Sequence, residues 1–344
     1  MRNKIRVKIE GDFILEKIRW GILGCANIAR KAVIPGIIGA DNSELYAVAS
    51  RSKEKAADFA ERFDAVKSYN DYDQLLADQK IDAVYIPLPN GLHKEWTIKA
   101  AEAGKHILCE KPLSGKNREE AEEMFAAAQK NNVKLMEAFM YRFQPFVIKL
   151  KQMLDEELIG EVKEIKASFA FDISDREGDI RHNAELDGGA LNDIGCYTVN
   201  VSRYLMGELP TKAANFFEKE TEAGVDLSGS ATLYFKGGAF ASLYYSINSY
   251  NAQDLEVVGT EGIIRIPDFF SWSDDNYFLI KKGGGVEKIP VETGPHYQLE
   301  VEAFAEAVLN DTEVPLKVDE ETYANLRVMD AMRKSAAEEL VVRV

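Results

Sequence analysis

Long apolar runs are absent from this sequence of 344 residues. A membrane-spanning helix needs roughly 20 consecutive apolar residues, and no stretch approaches that length. Residues 1–17 alternate charged and apolar types, a pattern that does not match a signal peptide. We therefore expect a cytoplasmic protein that has no membrane partner.

Positive charge is also in short supply. The 42 Lys and Arg residues are outnumbered by 57 Asp and Glu residues, which gives a formal net charge of -15. Nucleic acids are bound by clustered basic residues, and the sequence contains no basic stripe. The composition therefore favours a small-molecule partner and no nucleic acid.

Cysteine is rare, and its number is odd. The three cysteines, Cys25, Cys109 and Cys196, do not form a disulfide framework and lack the spacing of metal ligands. We expect thiols that fill small apolar spaces, in a reducing compartment and without a metal site.

Short apolar runs alternate with helical patterns in the first part of the chain. Strands separated by helices require right-handed crossovers and a parallel sheet covered on both faces. The fold class is therefore α/β, with an N-terminal Rossmann-type, doubly wound parallel sheet over residues 18–140. The predicted strands are 18–23, 45–49, 83–86, 106–109 and 133–137, and the predicted helices are 28–39, 53–63, 71–77, 93–103 and 119–129.

The pattern changes after Gly160 to longer strand-like stretches separated by turn signals such as Lys236-Gly237-Gly238. We expect a C-terminal α+β domain with a mostly antiparallel open sheet over residues 141–344, and an N-terminal extension over residues 1–17. The predicted strands of this second domain are 162–171, 213–218, 230–235, 239–247 and 255–258.

A variant of the dinucleotide-binding fingerprint follows the first predicted strand. Gly24 would make the tight turn, Ala26 stands where the backbone must approach a pyrophosphate, and Asn27 and Ile28 open the helix, whose N-terminus attracts phosphate. The second glycine of the fingerprint is missing, and a small-residue turn without a ligand is the alternative interpretation.

The end of the second predicted strand indicates which dinucleotide binds. NAD-binding chains usually place Asp or Glu there, whereas this chain has Ser50, Arg51 and Ser52. A guanidinium and two hydroxyls suit the 2′-phosphate of NADP, so we expect NADP, with NAD possible. The alternative is that Arg51 is a solvated residue at a helix start.

Further polar groups follow the later strands. Lys111 comes directly after a predicted strand end, and Asp193 and Tyr197 are four residues apart and share a helix face. Helix capping by Asn90 and a core position for Tyr197 are the structural alternatives. The remaining residues expected at the cofactor are Pro87, Asn90, His93, Glu110 and Lys111.

Taken together, these segments resemble the Gfo/Idh/MocA oxidoreductases over about residues 18–335. The glycine-rich turn, Asn90 with His93, Glu110-Lys111-Pro112, the segment from Gly188 to Asp193 and residues 259–262 stand in the order of that family. Tyr197 and residues 138–143 are similar to the branch with glucose-fructose oxidoreductase, NADP-dependent D-xylose dehydrogenase and dimeric dihydrodiol dehydrogenase. Ala26 and Asp187 depart from the pattern, since glycine is common at both positions.

The resemblance implies an NAD(P)-dependent dehydrogenase or reductase that acts on the CH–OH group of a sugar or polyol, such as D-xylose or another aldose. It implies that Lys111 and Tyr197 act on the substrate hydroxyl with Asp193 beside them, and that the Lys111-Pro112 bond is cis. A base at the hydroxyl is what hydride removal requires, and an ammonium beside a phenol would favour its anion. A non-catalytic dinucleotide sensor and a trans-dihydrodiol dehydrogenase are the alternatives.

Two further expectations concern the second domain. Tyr141, Arg181 and His182 are candidate substrate contacts. The resemblance also implies a homodimer, or a tetramer of dimers, formed through the C-terminal sheet. The sequence does not distinguish between these assemblies, nor does it identify the substrate.

Overall fold

The computed structural model describes residues 16–219, 224–271 and 276–344. The predicted extension over residues 1–17 lies almost wholly outside the described residues. Within them, no helix is both long and apolar enough to cross a membrane.

The first sheet is parallel and has six strands. The strands are β1 Ile18–Leu23, β2 Ser43–Ala49, β3 Lys67–Tyr69, β4 Ala83–Ile86, β5 His106–Glu110 and β6 Leu135–Ala138. They lie in the order β3-β2-β1-β4-β5-β6, so the strand order reverses between β1 and β4. A crevice at the carboxyl ends of the strands is expected at such a reversal, and it receives the segments that follow β1, β2, β4 and β5.

Helices cover both faces of this sheet. They are α1 Ile34–Gly39, α2 Lys53–Phe63, α3 Tyr72–Ala77, α4 His93–Glu102 and α5 Arg118–Lys130. A π-helical turn, Ala29–Val33, precedes α1, so the helix predicted over residues 28–39 is present but begins with a wider turn. Local capping sets other boundaries: the side chain of Ser52 accepts the backbone N–H of Lys55 at the start of α2.

The second sheet is large and mostly antiparallel, as the sequence predicts. Its main path runs in the order β15-β14-β13-β12-β7-β10-β9-β8-β16, and β11 pairs with β7 off this path. The pairing of β10 with β7 is parallel. The strands are β7 Val162–Asp172, β8 Lys212–Lys219, β9 Asp226–Tyr234, β10 Phe240–Ser246, β11 Asn248–Ala252, β12 Leu255–Gly259, β13 Gly262–Ile266, β14 Tyr277–Lys282, β15 Gly285–Pro290 and β16 Val342–Arg343.

One face of the second sheet is covered by helices. The helices of this half are α6 Pro145–Asp155, α7 Cys196–Met206, α8 His296–Leu309 and α9 Tyr323–Glu338. Helices α7 and α9 pack on strands β7, β8 and β10. A second π-helical turn, Leu191–Gly195, leads into α7.

Helix α8 returns to the first sheet. It packs on α1, and a Cβ added to Gly36 would lie 2.8 Å from the backbone nitrogen of Gln298. The ring of Phe304 in α8 lies 5.4 Å from that of Trp20 in β1. The domain division at residue 140 stays a prediction, and this contact ties the second half of the chain to the first.

Candidate active site

Lys111 follows β5 directly and is joined to Pro112 by a cis peptide bond, as the resemblance implied. Its ammonium donates to the carboxylate Oδ1 of Asp193 at 3.0 Å and to the backbone oxygen of Asp193 at 2.7 Å. Burial by itself would lower the pKa of Lys111, but the charge and hydrogen bond of Asp193, together with smaller contributions from Cys196 and Glu110, outweigh that effect and raise the pKa. Lys111 is therefore a partly buried cation with its counter-charge in place.

Asp193 lies in the π-helical turn before α7 and binds two cations. Its Oδ2 accepts the Nε of Arg181 at 2.5 Å, while Oδ1 accepts Lys111. Burial raises the pKa of Asp193, but both cations act in the opposite sense and hold it below the ordinary value. The structure thus brings together two predicted catalytic residues and one predicted substrate contact.

Tyr197 faces the same cluster from the first turn of α7. The Lys111 ammonium lies 5.2 Å from the centroid of the Tyr197 ring, and the hydroxyl lies 3.4 Å from the sulfur of Met140. The residue is 5% exposed, and burial raises the pKa of its phenol well above 10. Tyr197 is therefore a neutral phenol here, with the ammonium over its ring.

Aromatic side chains form an apolar wall around Tyr197. Its ring lies 5.2 Å from Phe139, 5.4 Å from Phe169 and 5.7 Å from Phe270. Phe169 and Phe270 stack with centroids 4.7 Å apart and an interplanar angle of 7°. These residues are not among the predicted site residues, because nothing local in the sequence shows that β7 and the loop after β13 meet α7.

Asn90 and His93, which follow β4, form hydrogen bonds with the backbone of other segments. Asn90 does not cap α4, which begins at His93; its amide donates instead to the backbone oxygen of Asp187 at 2.8 Å. The ring of His93 is fully buried, with Nδ1 3.0 Å from the oxygen of Pro112 and Nε2 2.8 Å from that of Leu88. Burial lowers the pKa of His93. His93 therefore fastens the turn after β4 to the turn that carries Lys111.

Two carboxylates accept hydrogen bonds from the backbone of the turn that carries Lys111. Glu110 accepts the hydroxyl of Tyr85 at 2.5 Å and the backbone N–H of Lys111 at 3.3 Å. Glu137 in β6 accepts the backbone N–H of Leu113 at 2.8 Å and the hydroxyl of Thr322 at 2.7 Å. Burial raises the pKa of Glu110, and it raises the pKa of Glu137 to about 7. Glu137 is not among the predicted site residues.

The turn after β1 has the geometry that the fingerprint predicts. Gly24 has a φ of 124°, and a Cβ there would lie 3.0 Å from Cδ2 of Leu88, so the position requires glycine. Ala26, Asn27 and Ile28 follow it at the entry to the helix, where the amide of Asn27 accepts Arg30 at 3.1 Å. Because Gly24 has no side chain, the backbone at the helix entry is open to the phosphates of a dinucleotide.

Of the three residues after β2, the two serines form hydrogen bonds near the start of α2 and the arginine is exposed to solvent. Ser50 Oγ accepts the backbone N–H of Ser52 at 3.2 Å, and Ser52 Oγ caps α2. Arg51 lies between them and is exposed. The guanidinium is therefore accessible to a ligand, while the hydroxyl of Ser52 also stabilises the helix.

The other predicted substrate contacts lie in different surroundings. His182 lines a cavity of about 380 Å³ formed by residues 178–180 and 182–186, and its Nε2 lies 3.3 Å from the oxygen of Ile173. Tyr141 is fully buried, with its hydroxyl 2.5 Å from Oδ1 of Asn200. Tyr141 therefore stands behind the aromatic wall rather than at its surface.

The three cysteines are free thiols, and two of them, Cys109 and Cys196, are buried. Burial raises the pKa of Cys25 to about 11. Over the described ranges, no group of three or more His, Cys, Asp or Glu side chains is arranged to hold a metal ion.

Comparison with known families decides the identity of the fold. Residues 18–139 match the model of the Gfo/Idh/MocA oxidoreductase family, NAD-binding Rossmann fold, and residues 147–265 match the Gfo/Idh/MocA C-terminal domain. The chain belongs to the Gfo/Idh/MocA oxidoreductase family. The predicted Rossmann-type domain, the second domain with its mostly antiparallel sheet and the oxidoreductase class are confirmed.

Curated members of the family resemble the chain over most of its length. It is 36% identical over 319 residues to the D-xylose 1-dehydrogenase (NADP(+)) 2 of Haloferax volcanii, covering 92% of this chain and 97% of that protein. It is 37% identical over 252 residues to the trans-1,2-dihydrobenzene-1,2-diol dehydrogenase of Xenopus tropicalis, covering 72% and 75%. A D-xylose dehydrogenase and a dihydrodiol dehydrogenase are also the activities named for the branch that Tyr197 and residues 138–143 resemble.

Solved structures of two enzymes share the fold. A 3-ketoreductase from Actinomadura kijaniata, in complex with NADP and TDP-benzene, superposes with a TM-score of 0.88 at 32% identity, covering 93% of this chain and 98% of that one. An aldose-aldose oxidoreductase from Caulobacter crescentus, complexed with glycerol, gives 0.89 at 27% identity, covering 96% and 100%. These relatives are named as enzymes, which favours catalysis over the non-catalytic sensor.

Proposed function

We propose that this Gfo/Idh/MocA enzyme is an NADP-dependent oxidoreductase that transfers hydride between the nicotinamide and a carbon of a sugar or polyol. The observation that carries the proposal is the cluster of Lys111, Asp193 and Tyr197 beyond the carboxyl end of β5. Lys111 comes from the proposed first domain, and Asp193 and Tyr197 come from the proposed second domain. Residues from both domains would therefore contact the cofactor and the substrate.

The cofactor would lie along the crevice at the strand ends. Gly24, Ala26, Asn27 and Ile28 would hold the pyrophosphate at the helix entry. Arg51, with Ser50 and Ser52, would bind the 2′-phosphate, which makes NADP the preferred dinucleotide. Pro87, Asn90 and Glu110 would form the end toward Lys111, and the fully buried His93 would support them. When bound, the cofactor would supply the hydride as NADPH or accept it as NADP.

The residues of the cluster divide the proton chemistry between them. Tyr197 is a neutral phenol, so in the reducing direction its hydroxyl would donate a proton to a carbonyl oxygen. In the oxidising direction Tyr197 would first release its own proton to solvent, and the phenolate, stabilised by the Lys111 ammonium, would then accept the proton of the substrate hydroxyl. Asp193 holds that ammonium at 3.0 Å and keeps it charged, and Arg181 shares the same carboxylate. Asp193 is thus the group that orients both cations.

The walls of the site favour a cyclic substrate with several hydroxyls. Lys111, Arg181 and Asp193 offer charged hydrogen-bonding groups, while Phe169 and Phe270 offer apolar faces for the ring of a sugar. The D-xylose dehydrogenase and the aldose-aldose oxidoreductase among the relatives support an aldose. The same apolar faces make a trans-dihydrodiol the second candidate, which the dihydrobenzene-diol dehydrogenase supports.

The open face of the second sheet supports a homodimer, alone or within a tetramer. Phe216 on β8, Ser230 on β9 and Tyr244 on β10 are register neighbours and therefore share one face. Phe216 is 68% exposed and Tyr244 is 38% exposed. A face that exposes aromatic side chains in a row is typical of a subunit contact. A cytoplasmic location remains part of the proposal.

The experiment that tests the proposed reaction is a substrate panel. Aldoses, polyols and trans-dihydrodiols are incubated with the full chain and NADP, and NADPH formation is followed; the panel is then repeated with NAD. We expect turnover of at least one aldose or polyol, faster with NADP. The Lys111→Met variant is the control that reveals background activity. Turnover of dihydrodiols alone would select the second candidate, and NADPH binding without any turnover would contradict the proposed reaction.

A further inference from the structure

Tyr72 reaches the glycine-rich turn from a different part of the first domain. It is the first residue of α3, after Asp71, whose side chain accepts the backbone N–H of Asp73 at 2.8 Å and so caps the helix. Tyr72 is 8% exposed, and its hydroxyl lies 3.8 Å from the place that a Cβ on Gly24 would occupy. The hydroxyl therefore lies beside the turn that the dinucleotide would cross.

Packing fixes the direction of this side chain. The Tyr72 ring meets Trp96 of α4 edge-on, with centroids 4.8 Å apart at an angle of 85°. The indole of Trp96 is in turn covered by the ammonium of Lys99, 4.1 Å from its centroid. A ring held by a neighbouring helix presents its hydroxyl at a set position.

Arg51 follows the end of β2, which lies beside the same turn: the backbone N–H of Gly24 donates to the oxygen of Ala49 at 3.0 Å. Burial raises the pKa of Tyr72, and the positive charge of Arg51 offsets part of that rise. Arg51 comes from the end of β2, whereas Tyr72 comes from the start of α3. Three segments of the chain, carrying Gly24, Arg51 and Tyr72, therefore meet at one end of the crevice.

We propose that Tyr72 is a positioning residue for the adenosine end of NADP, whose hydroxyl accepts a hydrogen bond from Arg51 and directs the guanidinium toward the 2′-phosphate. An exposed arginine loses side-chain freedom when it binds a phosphate, and an oriented one loses less. The inference rests on the proposed NADP site and adds the residue that prepares its arginine. Because NAD lacks the 2′-phosphate, the contribution of Tyr72 is confined to NADP.

The variant that isolates this role is Tyr72→Phe. It removes the hydroxyl and keeps the ring that packs on Trp96 and closes the space beside Gly24. Tyr69→Phe is the matched control, since Tyr69 lies on the adjacent strand β3 and its hydroxyl donates to Asp78 at 2.6 Å instead. Both variants lose one hydroxyl from the same end of the first sheet.

The experiment measures dissociation constants of the full chain for NADPH and NADH, and for 2′,5′-ADP and 5′-AMP as probes of the adenosine end. We expect Tyr72→Phe to weaken the binding of NADPH and 2′,5′-ADP by about 3- to 10-fold, the range of one typical net hydrogen bond in a protein. The dissociation constants for NADH and 5′-AMP should stay within about twofold of the parent values. In Tyr69→Phe, the dissociation constants for all four ligands should stay within the same limit. In an Arg51→Ala background, Tyr72→Phe should have no further effect. Thermal unfolding of each variant checks that the fold is retained.

Three results would overturn the inference. A similar loss of affinity for NADPH and NADH in Tyr72→Phe would show that Tyr72 contacts a part of the site that both dinucleotides use. A loss that persists in the Arg51→Ala background would show that Tyr72 does not act through Arg51. Unchanged NADPH affinity in Tyr72→Phe, with selectivity lost in Arg51→Ala, would refute the role of Tyr72 and leave the NADP site standing. If Arg51→Ala itself keeps full selectivity, the proposed 2′-phosphate site falls and the inference falls with it.

Discussion

The Lys111 ammonium lies 3.0 Å from the carboxylate of Asp193, although 82 residues separate the two in the sequence. Both side chains are only 13% exposed, so each charge depends on the other. Removing one partner of a buried pair leaves an uncompensated charge, which typically costs about 3–5 kcal/mol. The pair therefore links the segment before α7 to the end of β5 and keeps a cation at the proposed reaction site.

The role of Tyr197 is tested by Tyr197→Phe. If the phenol transfers the substrate proton, we expect turnover to fall by about two to four orders of magnitude. Affinity for NADPH should be retained, because only a hydroxyl next to Met140 is lost. Turnover and NADPH binding are measured on the same preparation. A variant within about threefold of the parent enzyme would remove Tyr197 from the mechanism.

Lys111→Met tests whether Lys111 and Tyr197 act as a unit. The variant should lose turnover to a similar degree, because the group that stabilises the phenolate is gone. In the double variant with Tyr197→Phe, the loss should be much smaller than the sum of the two logarithmic losses, as for residues of one catalytic unit. Turnover of the two single variants and of the double variant completes the cycle. Fully additive losses would indicate separate roles.

Asp187→Gly should stabilise the fold. Asp187 adopts a left-handed backbone with φ of 54°, and its Oδ2 is buried without a hydrogen-bond partner. Glycine relieves both costs and keeps the backbone oxygen that accepts Asn90, so we expect a gain of about 1 kcal/mol in the free energy of unfolding. Asp64→Gly is the control, with a φ of 55° and an exposed side chain. Urea denaturation measures the free energy of unfolding of both variants. If Asp187→Gly gains no more stability than Asp64→Gly, the buried carboxylate of Asp187 does not carry the cost assigned to it.

Glu137→Gln should change how stability depends on pH. The pKa of Glu137 is raised from 4.5 to about 7 by burial, so the folded state binds its proton more tightly than the unfolded state. Its stabilising contribution is complete below pH 4.5 and is lost as pH rises through about 7. Relative to the parent, the glutamine variant should thus gain up to about 3 kcal/mol between pH 5 and 8. Denaturation across this range measures the difference, and parallel pH profiles would refute the shift.

Phe216→Glu tests the subunit contact. A carboxylate on the open face of the second sheet should repel its counterpart in a symmetric dimer, so the variant should be monomeric at micromolar concentration. Val66→Glu is the matched control, because Val66 is also 68% exposed but lies in the first domain. Light scattering gives the molar mass of both. A monomeric parent, or a Phe216→Glu variant with the parent's mass, would refute this interface.

Sequence periodicity predicted the first domain well because its elements are determined locally. The helix predicted over residues 53–63 is observed as Lys53–Phe63, and Ser52 caps it as its residue type favours. Strand β3, Lys67–Tyr69, was not predicted, because three mostly polar residues carry no apolar pattern. Its strand conformation comes from pairing with β2.

The second domain was predicted less completely for the same reason. Strands β13, β14 and β15 are short, and each is stabilised by pairing with its neighbours rather than by its own pattern. Helix α8 is placed by its contact with α1, across more than half of the chain. Pairings at such separation leave no periodic signal in a local segment.

The sequence by itself determined the order of the elements, the glycine-rich turn and the candidates Lys111, Asp193 and Tyr197, because spacing along a helix or after a strand is a local property. Only the tertiary structure decided that Arg181 shares the carboxylate of Asp193 and that His93 is buried behind the crevice. Burial and side-chain partners depend on which distant segments pack together. Local patterns therefore predict where chemical groups stand in the chain, and packing decides what they contact.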